Sequence, residues 1–87
     1  MQFKNITVIG AGYVGTSLAT LLGQKLNVTV IDNDITKVNL FNNKLSPVQD
    51  SLVEDYLQNG WSTVNATNLL APLLKKTDLF ILALPTN

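Results

Sequence analysis

The sequence predicts an α/β fold, a doubly wound parallel sheet in truncated form with about four strands. Three observations carry that prediction. Short β-branched or apolar runs recur along the chain, helix-period segments alternate with them, and glycine, proline or a cap-type residue marks the boundaries. A chain of 87 residues holds one small domain with a single core.

ITVIG, residues 6–10, is a buried strand closed by glycine. Residues 13–25 change period: Val14, Leu18, Leu21 and Leu22 recur at three- and four-residue spacing while Thr16, Thr20 and Gln24 fall elsewhere. A helix with Val14 and the three leucines turned to the core is the expectation. NVTVID, residues 27–32, is the second strand, far enough from the first for a crossover helix and hence parallel to it. NDITKVNLFNN opens with the cap residues Asn33 and Asp34, places Ile35, Val38 and Phe41 or Leu40 on one helical face, and stops at Asn42 and Asn43. KLSPVQ is a loop, because Pro47 biases Ser46 away from helix. DSLVEDYLQNG is a second short helix with Asp50 or Ser51 as cap, an apolar face of Leu52, Val53, Tyr56 and Leu57, and Gly60 as stop. WSTVNAT reads as a strand, NLLAPLLKK as a short helix begun or interrupted at Pro72, and residues 79–84 as a parallel strand ending at Pro85. That last strand is central in a complete sheet of this kind and an unprotected edge in a truncated one. Trp61 reads as a packing residue.

Composition removes several function classes. Six basic residues balance six acidic ones without clustering, so no positive patch exists for nucleic acid or an anionic membrane surface. Cysteine and histidine are both absent, which excludes a disulfide framework, a thiolate metal site and a cysteine nucleophile within these residues. No apolar run approaches the roughly 18 residues of a membrane-spanning helix. MQFKNITVIG lacks a secretory cleavage pattern, so a cytoplasmic location is expected.

GAGYVG sets Gly10, Gly12 and Gly15 at G-x-G-x-x-G spacing. The first permits a tight turn, the second lets backbone approach a pyrophosphate, and the third lets helix lie close to strand. The helix that follows offers unpaired N–H groups and a positive dipole end to phosphate. A glycine turn alone requires no ligand. Here it joins a strand to a helix, and Asp32 closes the next strand, the arrangement of a Rossmann-like dinucleotide site. The Asp32 carboxylate suits ribose hydroxyls and repels a 2′-phosphate, favouring NAD over NADP. The plainer reading is a glycine turn with Asp32 as a helix cap. Tyr13 and Val14 fill the variable positions of the motif, with Val14 assigned to the core. Lys37, one turn into the next helix, either reaches the adenosine end or is a solvated lysine; Thr86, beyond the last strand, either faces the cofactor or is an exposed strand exit.

ITVIGAGYVGTSLATLL, VTVIDNDITKVNLFNN, SPVQD and FILALPTN, in that order and spacing, resemble the N-terminal segment of the UDP-glucose/GDP-mannose dehydrogenase family over nearly all of the chain. The glycine motif is shared by many dehydrogenases, whereas SPVQD combined with PTN is far more specific. The resemblance implies oxidation of a nucleotide-sugar C6 alcohol to a carboxylate with two NAD molecules in succession. It assigns Gly10, Gly12, Tyr13, Val14 and Gly15 to the diphosphate, Asp32 to the adenosine ribose, Lys37 to the adenosine end and Thr86 to the nicotinamide side. It further implies that residues 1–87 are an incomplete NAD-binding domain lacking the sugar-nucleotide domain. The family's covalent chemistry uses a cysteine. None occurs here, so no turnover by this chain alone is expected. Two other readings remain: a non-catalytic module that self-associates through its last strand, and the cofactor domain of a dehydrogenase for hydroxyacyl or phosphogluconate substrates.

Overall fold

The computed structural model describes residues 3–83. Four strands, β1 (Asn5–Ile9), β2 (Asn27–Ile31), β3 (Val64–Thr67) and β4 (Leu79–Leu82), form one sheet. Every pairing is parallel, in the order β3-β2-β1-β4. Helix α1 (Tyr13–Leu22) joins β1 to β2, and α2 (Ile35–Asn42) and α3 (Ser51–Gln58) join β2 to β3. The chain steps outward from β1 to β3 and then returns to the far side of β1. The carboxyl end of β1 is therefore the switch point of the sheet, where open α/β sheets bind ligands.

Strand alternation builds the core. Ile6 and Val8, Val28 and Val30, and Val64 and Ala66 occupy matched register positions and join Ala19, Val38, Phe41, Val53 and Leu57 in one buried cluster. Each of the later helices begins at an aspartate. Asp34 accepts hydrogen bonds from the N–H groups of Thr36 (3.0 Å) and Lys37 (3.4 Å), and Asp50 from those of Leu52 (3.0 Å) and Val53 (3.2 Å). These acceptors satisfy helix N–H groups that have no intrahelical partner. At the β3 edge the Asn42 side chain donates to the Ala66 carbonyl and accepts from its N–H, both at 2.9 Å, imitating a neighbouring strand. At the start of β1, one Asp78 carboxylate oxygen accepts from the N–H groups of Lys4 (2.9 Å) and Asn5 (2.8 Å). That links the chain before β4 to the start of β1.

Helix α1 departs from its sequence pattern. Its buried residues are Gly15, Thr16, Ala19 and Thr20, whereas Val14 is 72% and Leu21 62% exposed. The assignment of Val14 to the core is thus corrected. The rotation of the helix is set at Gly15, which lies against the glycine turn where no side chain fits: a Cβ there would stand 1.9 Å from the Gly10 carbonyl oxygen. The threonine hydroxyls remain compatible with burial because they bond to backbone carbonyls, Thr16 to Ala11 (3.2 Å) and Thr20 to Thr16 (2.8 Å). Ile35 and Leu52 are likewise exposed, while Val38, Phe41, Val53 and Leu57 are buried as their spacing predicts.

The strand predicted over 61–67 begins at Val64, and the helix predicted over 68–76 is reduced to a single 3-10 turn at Ala71–Leu73. Trp61 packs edge-on against Tyr56 with ring centroids 5.4 Å apart, at the surface. Strand β4 pairs with β1 and is an edge of the described sheet, with Leu79, Phe80 and Leu82 exposed. Thr86 lies outside the described residues.

Candidate functional site

The site starts from the turn at the end of β1. Gly10 has φ 113°, a conformation that side chains resist, and its N–H donates to the Ile31 carbonyl at 2.8 Å. The next residue, Ala11, is buried and held twice. Its N–H donates to Asp32 Oδ2 at 2.8 Å, and its carbonyl accepts from Thr16 Oγ1 at 3.2 Å. Gly12 then serves as the N-cap of α1, with no side-chain hydrogen bond and no acidic residue in the first turn. The positive end of α1 therefore has neither a side-chain cap nor an acidic side chain in its first turn.

The three glycines occupy three different environments. Gly10 makes the left-handed turn, Gly15 lies under the Gly10 carbonyl, and a Cβ on Gly12 would meet no atom within 4 Å. Open space at Gly12 suits close approach by a diphosphate. Space beside the helix start, backbone donors and an uncapped dipole together fit the phosphate groups of a dinucleotide. Tyr13 and Val14, 61% and 72% exposed, stand in the first turn of α1 beside this space.

Asp32 follows the last residue of β2, its N–H donating to the Thr67 carbonyl at 3.2 Å. It is not the cap of α2, a role taken by Asp34. Its Oδ1 accepts the Asp34 N–H at 2.8 Å and its Oδ2 the Ala11 N–H, so each oxygen carries one backbone donor. A carboxylate has about four acceptor sites, which leaves capacity for two hydroxyls. Lys37 is half-buried in the first turn of α2, three residues after Asp34.

Sequence reasoning missed Thr16 and Ala11. The pattern around them contains only a hydroxyl in a helix and a small residue between glycines, and their contact depends on how closely α1 approaches the turn. A groove of about 210 Å³ between α1 and α3, lined in part by Ser17, Leu21, Leu52 and Tyr56, is a separate, largely apolar feature. Among the described residues no cluster of potential metal ligands occurs, and no helix is long and apolar enough to cross a membrane.

A parallel βαβ unit with this glycine turn at its switch point and a carboxylate closing its second strand defines a dinucleotide-binding domain. Residues 4–87 match the profile described as UDP-glucose/GDP-mannose dehydrogenase family, NAD binding domain. The chain belongs to that family, and its match lies within the family's NAD-binding domain.

Its relatives include the UDP-glucose 6-dehydrogenase of Streptococcus pneumoniae, 42% identical over 82 residues that cover 94% of this chain and 21% of that protein. The glycerol-3-phosphate dehydrogenase [NAD(P)+] of Mesoplasma florum is 33% identical across 99% of this chain and 25% of that protein. Among solved structures, a ternary complex of GDP-mannose dehydrogenase from Pseudomonas aeruginosa superposes with a TM-score of 0.84 at 27% identity, covering 94% of this chain and 20% of that one. The chain spans about a fifth to a quarter of the length of these relatives.

Proposed function

We propose that this chain holds the adenosine and diphosphate half of NAD for an enzyme that oxidises the C6 alcohol of a nucleotide sugar of the UDP-glucose type to a carboxylate. The observation that carries the cofactor site is Asp32, hydrogen-bonded to the glycine turn and retaining acceptor capacity toward it. In this reading Gly10, Gly12, Tyr13, Val14 and Gly15 surround the diphosphate, Asp32 binds the adenosine ribose, Lys37 serves the adenosine end and Thr86 the nicotinamide side. Bound NAD supplies the hydride acceptor. The choice of nucleotide sugar is supported by the kinship with UDP-glucose 6-dehydrogenases.

Residues 1–87 are, on this proposal, part of a cofactor domain, with sugar-nucleotide binding and the covalent chemistry belonging to residues outside them. The sequence has no cysteine to form a thiohemiacetal, so the polypeptide alone turns over no substrate. A cytoplasmic setting is part of the proposal.

Calorimetric titration tests it. NAD should bind the wild-type chain, NADP should bind at least about tenfold more weakly, and Asp32→Ala should erase the preference. Equal affinity of both cofactors for both proteins would remove the assignment. NADH formation from UDP-glucose by the purified chain would refute the division of labour.

A second reading concerns the isolated polypeptide, whose exposed β4 offers unpaired backbone and apolar side chains to a second copy. Light scattering that finds a strict monomer at high concentration would exclude it.

A further inference from the structure

The two peptide planes flanking Ala11 are each anchored by a side chain from elsewhere. Asp32 Oδ2 takes the Ala11 N–H at 2.8 Å, and Thr16 Oγ1 donates to the Ala11 carbonyl at 3.2 Å. Thr16 is fully buried and Ala11 is 1% exposed, so water has little access to replace either bond. No peptide in the described chain is cis. In a planar trans peptide the carbonyl and the following N–H point in opposite directions. Drawing the Ala11 carbonyl toward buried Thr16 therefore turns the Gly12 N–H away from it, at the residue whose Cβ position is open to 4 Å.

We propose that Thr16 is a positioning residue for the cofactor diphosphate, its buried hydroxyl locking the Ala11–Gly12 peptide so that the Gly12 N–H is presented to phosphate. The inference rests on the NAD-binding reading and deepens it. Glycine makes such a lock necessary, because a peptide next to glycine can reorient at little steric cost. Asp32 fixes the preceding peptide, so the turn is set before ligand arrives. Thr20 lies one helical turn on, equally buried, but its hydroxyl bonds the Thr16 carbonyl at 2.8 Å and does not reach the turn. It is the natural control.

The experiment is NAD titration by calorimetry on wild type, Thr16→Val, Thr16→Ser and Thr20→Val, each first shown by circular dichroism to be folded. Thr16→Val, which removes the hydroxyl at nearly constant volume, should weaken NAD binding about tenfold, the scale of one buried hydrogen bond. Thr16→Ser should stay within about twofold of wild type, and Thr20→Val should lower Tm without changing affinity. Amide spectra of unliganded Thr16→Val should show the Gly12 and Tyr13 signals shifted or broadened while those of β3 stay in place.

Unchanged affinity in Thr16→Val, or equal weakening in Thr16→Ser or Thr20→Val, overturns the proposal while leaving the cofactor reading intact. If Thr16→Val fails to fold, Thr16→Ala replaces it; if neither folds while Thr16→Ser does, the hydroxyl serves the whole domain and the proposal fails. Absence of NAD binding by wild type refutes the cofactor reading itself, and this inference with it.

Discussion

Adding one methyl group at Gly15 and one at Gly12 should damage different properties of the same turn. In Gly15→Ala the new Cβ would stand 1.9 Å from the Gly10 carbonyl oxygen, 3.0 Å from its carbon and 3.1 Å from the Ala83 Cβ. The obstacle is backbone, which cannot rotate aside, so helix and turn must separate by about 1 Å or more. Overpacking of this kind costs about 1–3 kcal/mol and sometimes more, and a rigid obstacle places Gly15→Ala at the upper end. An 87-residue domain has a total stability of only about 4–13 kcal/mol at ordinary values per residue. Tm should therefore fall by more than about 10 °C.

Gly12→Ala meets nothing within 4 Å, and its φ of −78° suits alanine. It should cost less than about 1 kcal/mol as an altered N-cap. Its methyl would nonetheless enter the space proposed for the diphosphate, weakening NAD at least about tenfold. Thermal melts followed by circular dichroism and NAD calorimetry on both variants decide the matter. A Gly15→Ala protein melting within about 3 °C of wild type would refute the close-packing argument. A Gly12→Ala protein with unchanged affinity would refute the approach of the diphosphate at that residue.

Asp32→Ala removes the proposed ribose acceptor together with the partner of the Ala11 N–H; NAD affinity should fall by more than about tenfold, checked by calorimetry on protein shown to be folded. Phe41, the largest of the fully buried side chains, should cost about 3–5 kcal/mol when replaced by alanine, and urea denaturation should show the midpoint collapse. Hydrogen bonds from the N–H groups of Asn5 and then Lys4 hold the Asp78 carboxyl below the ordinary carboxylate range. A group whose folded pKa is lowered stabilises fully above its unfolded pKa, about 3.9, and loses that contribution as pH falls through the folded value. Asp78→Asn should therefore flatten the acid limb of a Tm-against-pH curve below about pH 4, and an unaltered limb would show that the carboxylate clamp contributes nothing. NAD at a hundredfold excess over its dissociation constant should stabilise the wild-type domain by about 2.7 kcal/mol, measurable as a rise in Tm.

Much of this protein follows from its sequence because the deciding rules act over a few residues. The switch from a β-branched run to a helix across Gly10–Gly15, the carboxylates Asp34 and Asp50 before helices, and the alternation that buries Val28 and Val30 are local patterns with local causes. They determined the order of the four strands and of the first three helices, the parallel α/β class and the glycine turn, and they singled out Asp32 at the end of β2, whereas the helix expected over 68–76 is a single 3-10 turn.

Tertiary structure alone decided which side of α1 meets the sheet. Periodicity ranks residues by hydrophobicity, but one close contact set the rotation of the helix: Gly15 must fit under the Gly10 carbonyl, and helical geometry then carries Thr16 and Ala19 inward with it and leaves Val14 and Leu21 outward. The same close approach brings Thr16 to the Ala11 carbonyl, and strand order brings Asp32 to the Ala11 N–H, 21 residues away in sequence. Those two hydrogen bonds fix the peptide planes on either side of Ala11 within the glycine turn. Residue spacing cannot specify them, because they depend on the distance between two packed elements.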